Sequence, residues 1–382
     1  MGVEVAVRDK PKTEAPMTMI DLAAQRRKIA DKIDQAIARV LQHGGFVLGP
    51  EVTELERRLE AYCGATQCVT CANGTDALEL ILMAEGIGAG HAVFVPAFTF
   101  VATVEVVVLT GATPIFIDVD RDSFNLDPAS LEAAIEDSKR RGIEPRAVIA
   151  VDLFGQPADY DAIDGLAEAH GLMVIADAAQ SFGASLDGKK VGTLAAYTAT
   201  SFYPSKPLGC YGDGGAIFTD DTEKAELLCV LRGHGKDEKG FSHVGRNSRL
   251  DSFQAAILLQ KLTLFADELV KRDAVADRYA EGLGSAVQTP RVRPGATSAW
   301  AQYTIISEKR GAIVRACREA GIHTAIHYAQ PLHVQGAYRD YPVSPTGLAQ
   351  CEWLSDRVVS LPMHPYLTDD AIDFVVRTVL AA

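Results

Sequence analysis

Apolar positions recur at helical spacing in the first part of the chain. Between residues 21 and 41, and again between 52 and 62, they fall three and four residues apart, and each run ends at a glycine. Residues so spaced lie on one face of a helix, and glycine commonly follows a helix C-terminus, so two amphipathic helices are predicted. Residues 1–18 before them are polar, broken by proline and aperiodic, which predicts a disordered or loosely attached tail.

Beyond this point, short apolar runs alternate with helical segments. The predicted strands lie near residues 67–71, 92–96, 114–118, 146–152 and 172–176, and the predicted helices near 75–85, 99–110, 128–140 and 158–170. This alternation predicts parallel βαβ units in a sheet that helices cover on both faces. Because such sheets bind ligands outside the carboxyl ends of their strands, Asn73-Gly74-Thr75 and Asp177, which follow strands, are candidate site residues.

The second half of the chain predicts a smaller domain. A helix is expected from Leu250 to about Val270, long enough to bridge two domains, and strand-like and helical pieces mix from Ala301 onward. We therefore expect an α/β fold with a large domain over residues 19–260, whose mostly parallel central sheet is flanked by helices. A C-terminal α+β domain is expected over residues 261–382, and 382 residues suffice for both.

Composition and charge exclude several classes of function. The 50 acidic and 37 basic side chains give a net charge of -13, and no long basic run argues for a nucleic-acid or membrane partner. No stretch approaches the roughly 20 apolar residues of a membrane span, and the N-terminus lacks a secretory pattern, so a cytoplasmic protein is predicted. The seven cysteines lack framework spacing, and no histidine completes a zinc site beside Cys68 and Cys71, so reduced thiols and no metal site are expected.

Lys206 is the candidate nucleophile. It lies between Pro204 and Pro207, so it cannot sit inside a helix, and apolar and aromatic residues surround it. Desolvation in such a turn would lower the pKa of its ammonium group and leave an amine able to attack a carbonyl. From its position alone, a solvated loop lysine is the alternative.

A phosphate-bearing aldehyde cofactor needs an amine, an acid that keeps a ring nitrogen protonated, donors for the phosphate and an apolar partner for the ring. The chain offers candidates for each role: Lys206, Asp177, the segment 73–76 at a helix start together with Ser201, and Phe98 or Phe100. Taken singly, each has an ordinary structural alternative, such as helix capping or a core position. Their presence together, in this order, favours such a cofactor site.

Several sequence blocks resemble the DegT/StrS-type sugar aminotransferases, which are pyridoxal-phosphate enzymes of fold type I. The blocks are NGTDAL, PAFTFVAT, DAAQSFGA, SFYPSKPLGCYGDGGA, GRNSRLDSFQAAIL and IHYAQPLH. They occur in the family's order, and the resemblance extends from about Ile20 to the C-terminus. It implies the fold of that family for nearly the whole chain.

The resemblance also implies a role for each matching residue. Lys206 would bind pyridoxal 5′-phosphate as a Schiff base and then carry the proton, Asp177 would hold the pyridinium nitrogen, and Gln180 would face the ring hydroxyl. The phosphate would lie against Gly74, Thr75, the Asp76 amide, Ser201 and Asn247, and the ring against Phe100. Pyridoxamine phosphate would be the intermediate form of the cofactor.

A homodimer with its active sites at the subunit interface is a further implication. Asn247 matches a residue that reaches the phosphate from the neighbouring subunit, and Arg249 would come from that subunit too. Arg249, His327 and Tyr328 match positions near the substrate. A guanidinium group can bind both oxygens of a carboxylate, although a surface ion pair is the alternative for Arg249 and a structural role the alternative for His327.

The narrower resemblance concerns the substrate. The blocks HGGFVLGPEVTELE and CVTCANGTDAL, and above all SFYPSKPLGCYGDGGA with GRNSRLD, resemble members that make UDP-2-acetamido-3-amino-2,3-dideoxy-D-glucuronate from the 3-oxo sugar. The amino donor of those members is L-glutamate, and the reaction is a step in cell-surface polysaccharide biosynthesis. Arg249 would then meet the sugar C6 carboxylate or a carboxylate of the donor. Ala329-Gln330 stands where family members often have proline, so a dTDP-linked 3- or 4-keto sugar remains an alternative substrate. A catalytically silent regulatory homologue is the other alternative.

Overall fold

The computed structural model of this protein describes residues 16–382. Its helices are α1 (Leu22–His43), α2 (Pro50–Cys63), α3 (Gly74–Ala84), α4 (Ala102–Leu109), α5 (Pro128–Arg140), α6 (Tyr160–His170), α7 (Thr222–Arg232), α8 (Ser252–Leu283), α9 (Arg310–Glu319), α10 (Ala349–Ser355) and α11 (Asp369–Leu380). Its strands are β1 (Gln67–Cys71), β2 (His91–Pro96), β3 (Thr113–Ile117), β4 (Glu144–Val151), β5 (Met173–Asp177), β6 (Ser185–Leu186), β7 (Lys189–Lys190), β8 (Tyr197–Ser201), β9 (Gly215–Thr219), β10 (Lys236–Asp237), β11 (Gly240–Phe241), β12 (Tyr303–Ile306) and β13 (Val358–Leu361). The alternating elements predicted from β1 to β5 are all present, with small shifts at their ends.

The first helices end where the sequence predicts. The Asp21 side chain caps α1 by accepting a hydrogen bond from the Ala24 amide at 2.8 Å. Gly44 and Gly64 follow α1 and α2 with φ of 71° and 88°, a left-handed conformation that glycine adopts without strain. Most of the predicted tail, residues 1–15, lies outside the described residues. Met17, however, forms a parallel bridge with Ile322 of the C-terminal part.

The central sheet has seven strands in the order β1-β9-β8-β5-β4-β2-β3. The pairs from β8 to β3 are parallel, as predicted, whereas β9 lies antiparallel to both of its neighbours. Residues 202–214, which join β8 to β9, contain no crossover helix, and a connection of this kind returns the chain in the opposite direction. Since β1 and β8 both oppose β9, the carboxyl ends of β1, β4, β5 and β8 meet at one edge.

Both faces of the sheet are covered. In β2, Val93 and Val95 belong to the buried cluster that includes residues of α3, α4 and α7, whereas Ala92 and Phe94 belong to the cluster with α5 and α6 on the other face. Side chains of a strand alternate between faces, so a strand covered on both sides is apolar throughout. This burial explains the continuous apolar runs of the sequence.

Helix α8 connects the two parts of the molecule. Leu258 and Phe265 on its first half pack in a cluster with α2 and the loop after β8, while Val275 and Tyr279 pack with β12, β13, α9 and α11. The helix has 32 residues, about 48 Å at 1.5 Å per residue, so it extends well beyond its predicted end. The predicted domain boundary after residue 260 falls within α8 and stays a prediction.

Among the helices of residues 16–382, none combines the length and the apolar character that a membrane crossing requires. Side chains of His, Cys, Asp and Glu in the same part of the chain form no group of three or more that is arranged to hold a metal ion.

Candidate active site

A cavity of about 770 Å³ opens at the sheet edge where the strands deliver their carboxyl ends. Ten of the twelve predicted site residues line it: Gly74, Thr75, Asp76, Phe100, Asp177, Gln180, Ser201, Lys206, His327 and Tyr328. The large part of the molecule contributes the first eight, and the segment after α9 contributes the last two. The cavity therefore lies between the central sheet and the C-terminal part.

Asp177 is the last residue of β5 and is only 7% exposed. The Thr103 hydroxyl donates to its Oδ2 at 2.9 Å, and the Ala179 amide donates to its Oδ1 at 3.2 Å. Burial raises the pKa of Asp177, although these hydrogen bonds and the charge of Lys206 oppose the rise. A buried carboxylate held in this way favours a cationic partner in the cavity.

Gln180 has a defined orientation. The Phe154 amide donates to its Oε1 at 2.7 Å, and its Nε2 lies 3.3 Å from the Tyr328 hydroxyl. Because the Gln180 side-chain oxygen already accepts a hydrogen bond from the Phe154 amide, the side-chain NH₂ group is the part of Gln180 that can donate in the cavity.

The N-terminus of α3 forms one wall of the cavity. The Asn73 side chain caps the helix by accepting from the Asp76 amide at 2.8 Å. A Cβ atom at Gly74 would lie 2.7 Å from Ser201 Cβ, so this glycine lets the first turn of the helix approach the serine hydroxyl. The positive end of the helix dipole, the Thr75 hydroxyl and the Ser201 hydroxyl together suit an anion. The Asp76 amide is engaged in capping, so an anion would share it with Asn73.

Lys206 lies in a tight turn of the loop between β8 and β9. Its amide donates to the Tyr203 carbonyl at 2.9 Å, and the flanking prolines keep this segment out of a helix. Burial lowers the pKa of the Lys206 side chain, and the nearby Asp177 carboxylate partly opposes this effect. The fraction of neutral amine at Lys206 is thus higher than for an exposed lysine.

Aromatic and imidazole groups complete the walls. Phe98 is buried in the core, with its ring 6.0 Å from that of Tyr328, whereas Phe100 is 54% exposed and lines the cavity. Of the two aromatic candidates, Phe100 is therefore the one placed to cover a ligand. His327 Nδ1 lies 2.9 Å from the Ser360 hydroxyl, and burial, with a smaller effect of Lys206, lowers the pKa of this imidazole.

Asn247 and Arg249 are the two predicted residues that do not line the cavity. Asn247 is exposed, bridges to Gly233 at the end of α7, and accepts a hydrogen bond from the Arg249 guanidinium. The chain brings these two side chains together at its surface, outside the lining of its own cavity.

Sequence reasoning missed several residues of the cavity. They include Thr99, Tyr203, Asp213 and Gln302, and the buried Thr103, which donates a hydrogen bond to Asp177, was missed as well. Thr103 is the last residue of the PAFTFVAT block, one helical turn beyond Phe100, and this position in the sequence could have indicated that it lies near the site. Gln302 belongs to the C-terminal part, and no motif in the sequence indicated it.

The charges along the cavity are uneven. Its acidic side chains are Asp76, Asp177 and Asp213, and Lys206 is the only lysine or arginine among the residues that line it. A ligand with several negative charges would find an anion site at α3 but no further fixed cation.

A mostly parallel sheet with a buried aspartate at one strand end, a lysine in the loop after another and an anion site at a helix start defines a fold-type I pyridoxal-phosphate transferase. The predicted fold class is confirmed. This chain belongs to the DegT/DnrJ/EryC1/StrS aminotransferase family, whose model matches residues 27–380. The prediction of an aminotransferase is confirmed with it.

Individual relatives agree with this assignment. The UDP-2-acetamido-2-deoxy-3-oxo-D-glucuronate aminotransferase of Pseudomonas aeruginosa is 48% identical over 360 residues, which cover 93% of this chain and 97% of that protein. A DegT DnrJ EryC1 StrS aminotransferase from Brucella abortus has a crystal structure with a TM-score of 0.94 and 49% identity, covering 95% of this chain and 98% of that one. Spr1654 of Streptococcus pneumoniae, solved in a PLP form and a PMP form, is 25% identical; its PLP form has a TM-score of 0.84 and covers 92% of this chain and 95% of its own.

Proposed function

We propose that this protein transfers an amino group from L-glutamate to the 3-oxo carbon of UDP-2-acetamido-2-deoxy-3-oxo-D-glucuronate, with pyridoxal 5′-phosphate as cofactor. The observation that carries the proposal is one cavity that holds a lysine whose pKa is lowered by burial, a buried aspartate and a helix start suited to an anion. The substrate rests on the 48% identical relative that bears its name. We further propose that the predicted site residues have the roles given above.

The residues of the cavity fit the cofactor. Because Gly74 has no Cβ, which would lie 2.7 Å from Ser201 Cβ, the start of α3 and Ser201 pack side by side, and a phosphate could be held by both. The Asp177 carboxylate would hold a protonated ring nitrogen, and the Gln180 NH₂ group would donate a hydrogen bond to the ring oxygen. When bound, pyridoxal phosphate would supply the electron sink that makes a substrate Cα–H acidic.

Lys206 would transfer the proton in the reaction. Its burial favours the neutral amine, which is the form that attacks an aldehyde and the form that accepts a proton. Asp177, which hydrogen bonds from Thr103 and Ala179 hold in place, opposes complete loss of the lysine charge. The amine can therefore both take up and return a proton within the cavity.

A second subunit would complete the site. Glutamate, the sugar carboxylate and the diphosphate are all anionic, whereas Lys206 is the single fixed cation along the cavity. Arg249 and Asn247 lie together at the surface of the same chain. We propose a homodimer in which these two residues enter the partner's cavity, where Arg249 binds a carboxylate of the sugar or of glutamate.

The visible absorption spectrum of the purified protein tests the proposal. A yellow band that needs Lys206 and that L-glutamate bleaches, with pyridoxamine phosphate recovered after denaturation, is the expected result. Lys206→Ala is the control and should not form the band normally. A protein that binds no pyridoxal phosphate even when it is supplied would instead support a silent regulatory homologue.

The sugar is tested in a second assay. The protein loaded with pyridoxamine phosphate is offered the UDP-linked 3-oxo glucuronate and, in parallel, dTDP-linked 3- and 4-keto sugars, and the amino sugar is detected by mass. Faster turnover of a dTDP-linked sugar would favour that alternative.

A further inference from the structure

Helix α8 carries a stripe of polar side chains beneath the loop that holds Lys206. Gln254, Lys261 and Glu268 follow one another at seven-residue intervals, so they share one face of the helix. Gln254 Oε1 accepts from the Tyr211 amide at 2.9 Å, and Lys261 Nζ donates to the Gly209 carbonyl at 2.6 Å. The helix thus holds the loop at two neighbouring points.

Lys261 is an unusual residue for this position. Its side chain is 1% exposed, and within residues 16–382 its Nζ forms no ion pair with a carboxylate. The Nζ lies 4.2 Å from the centre of the Tyr211 ring. An ammonium group without a carboxylate partner destabilises a core, and methionine would fill the same space. The contacts of the amine, and not its packing, therefore distinguish lysine here.

The Gly209 carbonyl is close to the turn that carries Lys206. A Cβ at Gly209 would lie 2.6 Å from the carbonyl oxygens of Tyr203 and Pro204, so the glycine backbone packs directly against that turn. The Tyr203 carbonyl in turn accepts from the Lys206 amide at 2.9 Å. A short series of contacts therefore runs from Lys261 through Gly209 to the backbone of Lys206.

We propose that Lys261 is a positioning residue for Lys206. Its amine holds the Gly209 carbonyl and the Tyr211 ring, and it thereby fixes the turn from which the Lys206 side chain enters the cavity. This inference rests on the proposed role of Lys206. Burial lowers the pKa of Lys261 to about 8, with Cys210 and Glu268 opposing, so the amine is still protonated at neutral pH and its hydrogen bond is charge-assisted.

The test separates positioning of Lys206 from general damage. Lys261→Met removes the donor and keeps the length of the side chain. The matched control is Lys271→Met, which changes a half-exposed lysine of the same helix that pairs with Asp267. For each variant, the rate at which the cofactor-free protein captures pyridoxal phosphate covalently is followed by absorption. In that capture, the lysine Nζ forms the bond to the aldehyde carbon and the aldehyde oxygen leaves as water. The affinity for pyridoxamine phosphate, which has no aldehyde, is measured in parallel.

We expect Lys261→Met to slow covalent capture about tenfold or more, while its pyridoxamine phosphate affinity stays within about threefold of the unmodified protein. Hydrogen exchange of the backbone over residues 203–212 should become faster in the same variant without cofactor. Lys271→Met should change none of these. Tyr211→Leu, which removes the ring beside Lys261, provides a second variant should Lys261→Met not fold, and it should slow capture about threefold.

Two results would overturn the proposal: capture at the unmodified rate in both variants, or equal losses of capture and of pyridoxamine phosphate affinity. The double variant Lys261→Met/Tyr211→Leu should be no slower than Lys261→Met alone, because both changes act through one contact. Hydrogen exchange needs no cofactor. A protein that never captures pyridoxal phosphate, yet exchanges faster over residues 203–212 in Lys261→Met, would refute the proposed function and not the contact.

Discussion

Removing one hydroxyl beside Asp177 tests whether this carboxylate is held ionised for a cationic partner. The Thr103 hydroxyl donates to Asp177 Oδ2 at 2.9 Å, and Thr103 is fully buried. Thr103→Val keeps the shape of the side chain and removes the donor. A hydrogen bond to a charged group contributes about 1.5–3 kcal/mol, and its loss leaves the buried carboxylate with one donor fewer.

The effect should depend on pH in a definite direction. Burial already raises the pKa of Asp177, so the folded state disfavours the ionised form of this group. The contribution of Asp177 to the free energy of unfolding is therefore present at low pH and is lost as the pH rises through its folded pKa. Thr103→Val raises that pKa further. We therefore expect the variant to lose about 1.5–3 kcal/mol of unfolding free energy at neutral pH, and to lose less as Asp177 becomes protonated at low pH.

Denaturant unfolding of the cofactor-free protein across this pH range measures the effect. The control is Thr110→Val at the end of the same helix, where the hydroxyl donates to the Val107 backbone carbonyl at 3.0 Å and not to a carboxylate. Its loss should not vary with pH. The reasoning is refuted if Thr103→Val loses the same free energy at every pH, or none, since the hydroxyl would then not stabilise the charge of Asp177.

Three further changes test other parts of the site. Gly74→Ala places a Cβ 2.7 Å from Ser201 Cβ, so the start of α3 and Ser201 must move apart, and cofactor binding should weaken about tenfold or more in a fluorescence titration. Unchanged affinity would mean that the phosphate does not bind between these two segments. Mixing inactive Lys206→Ala and Arg249→Ala subunits should restore about a quarter of the activity, because half of the dimers regain one site, whereas no recovery would place Arg249 in its own subunit's site. Burial raises the pKa of Asp152 to about 7, so the protein should lose unfolding free energy as the pH rises toward 7 and this group ionises. Asp152→Asn should flatten that part of the plot of unfolding free energy against pH. An unchanged slope would contradict the contribution of Asp152.

Much of this architecture could be predicted from the sequence because its causes are local. A strand buried on both faces is apolar throughout, as in β2, and a glycine with positive φ ends a helix, as Gly44 does. Lys206 could be placed in a turn because two prolines flank it. Asp177 could be placed at the ligand edge because it follows a parallel strand.

The remainder depends on contacts between distant parts of the chain. Thr103 and Asp177 are 74 residues apart, and nothing in the period of either segment indicates that their side chains meet. The direction of β9 depends on the path of the loop before it, and an apolar run has no direction of its own. Lys261 stands among apolar residues of an amphipathic helix, and a lysine in that pattern is normally expected at the edge of the buried face. Its contact with Gly209, 52 residues earlier, depends on the path of the loop between β8 and β9.

The distribution of charge separates the chemistry of the site from its choice of substrate. Lys206, Asp177 and the start of α3 line one cavity of a single chain, so the groups proposed for the chemistry come from residues that the sequence motifs already indicate. The cations that a sugar carboxylate, a diphosphate or glutamate needs are absent from the lining of that cavity, whereas Arg249 lies at the surface of the same chain. Selection among nucleotide sugars would then reside at the subunit interface. Changes at Arg249 should alter KM for the anionic substrates more than they alter the capture of pyridoxal phosphate by Lys206.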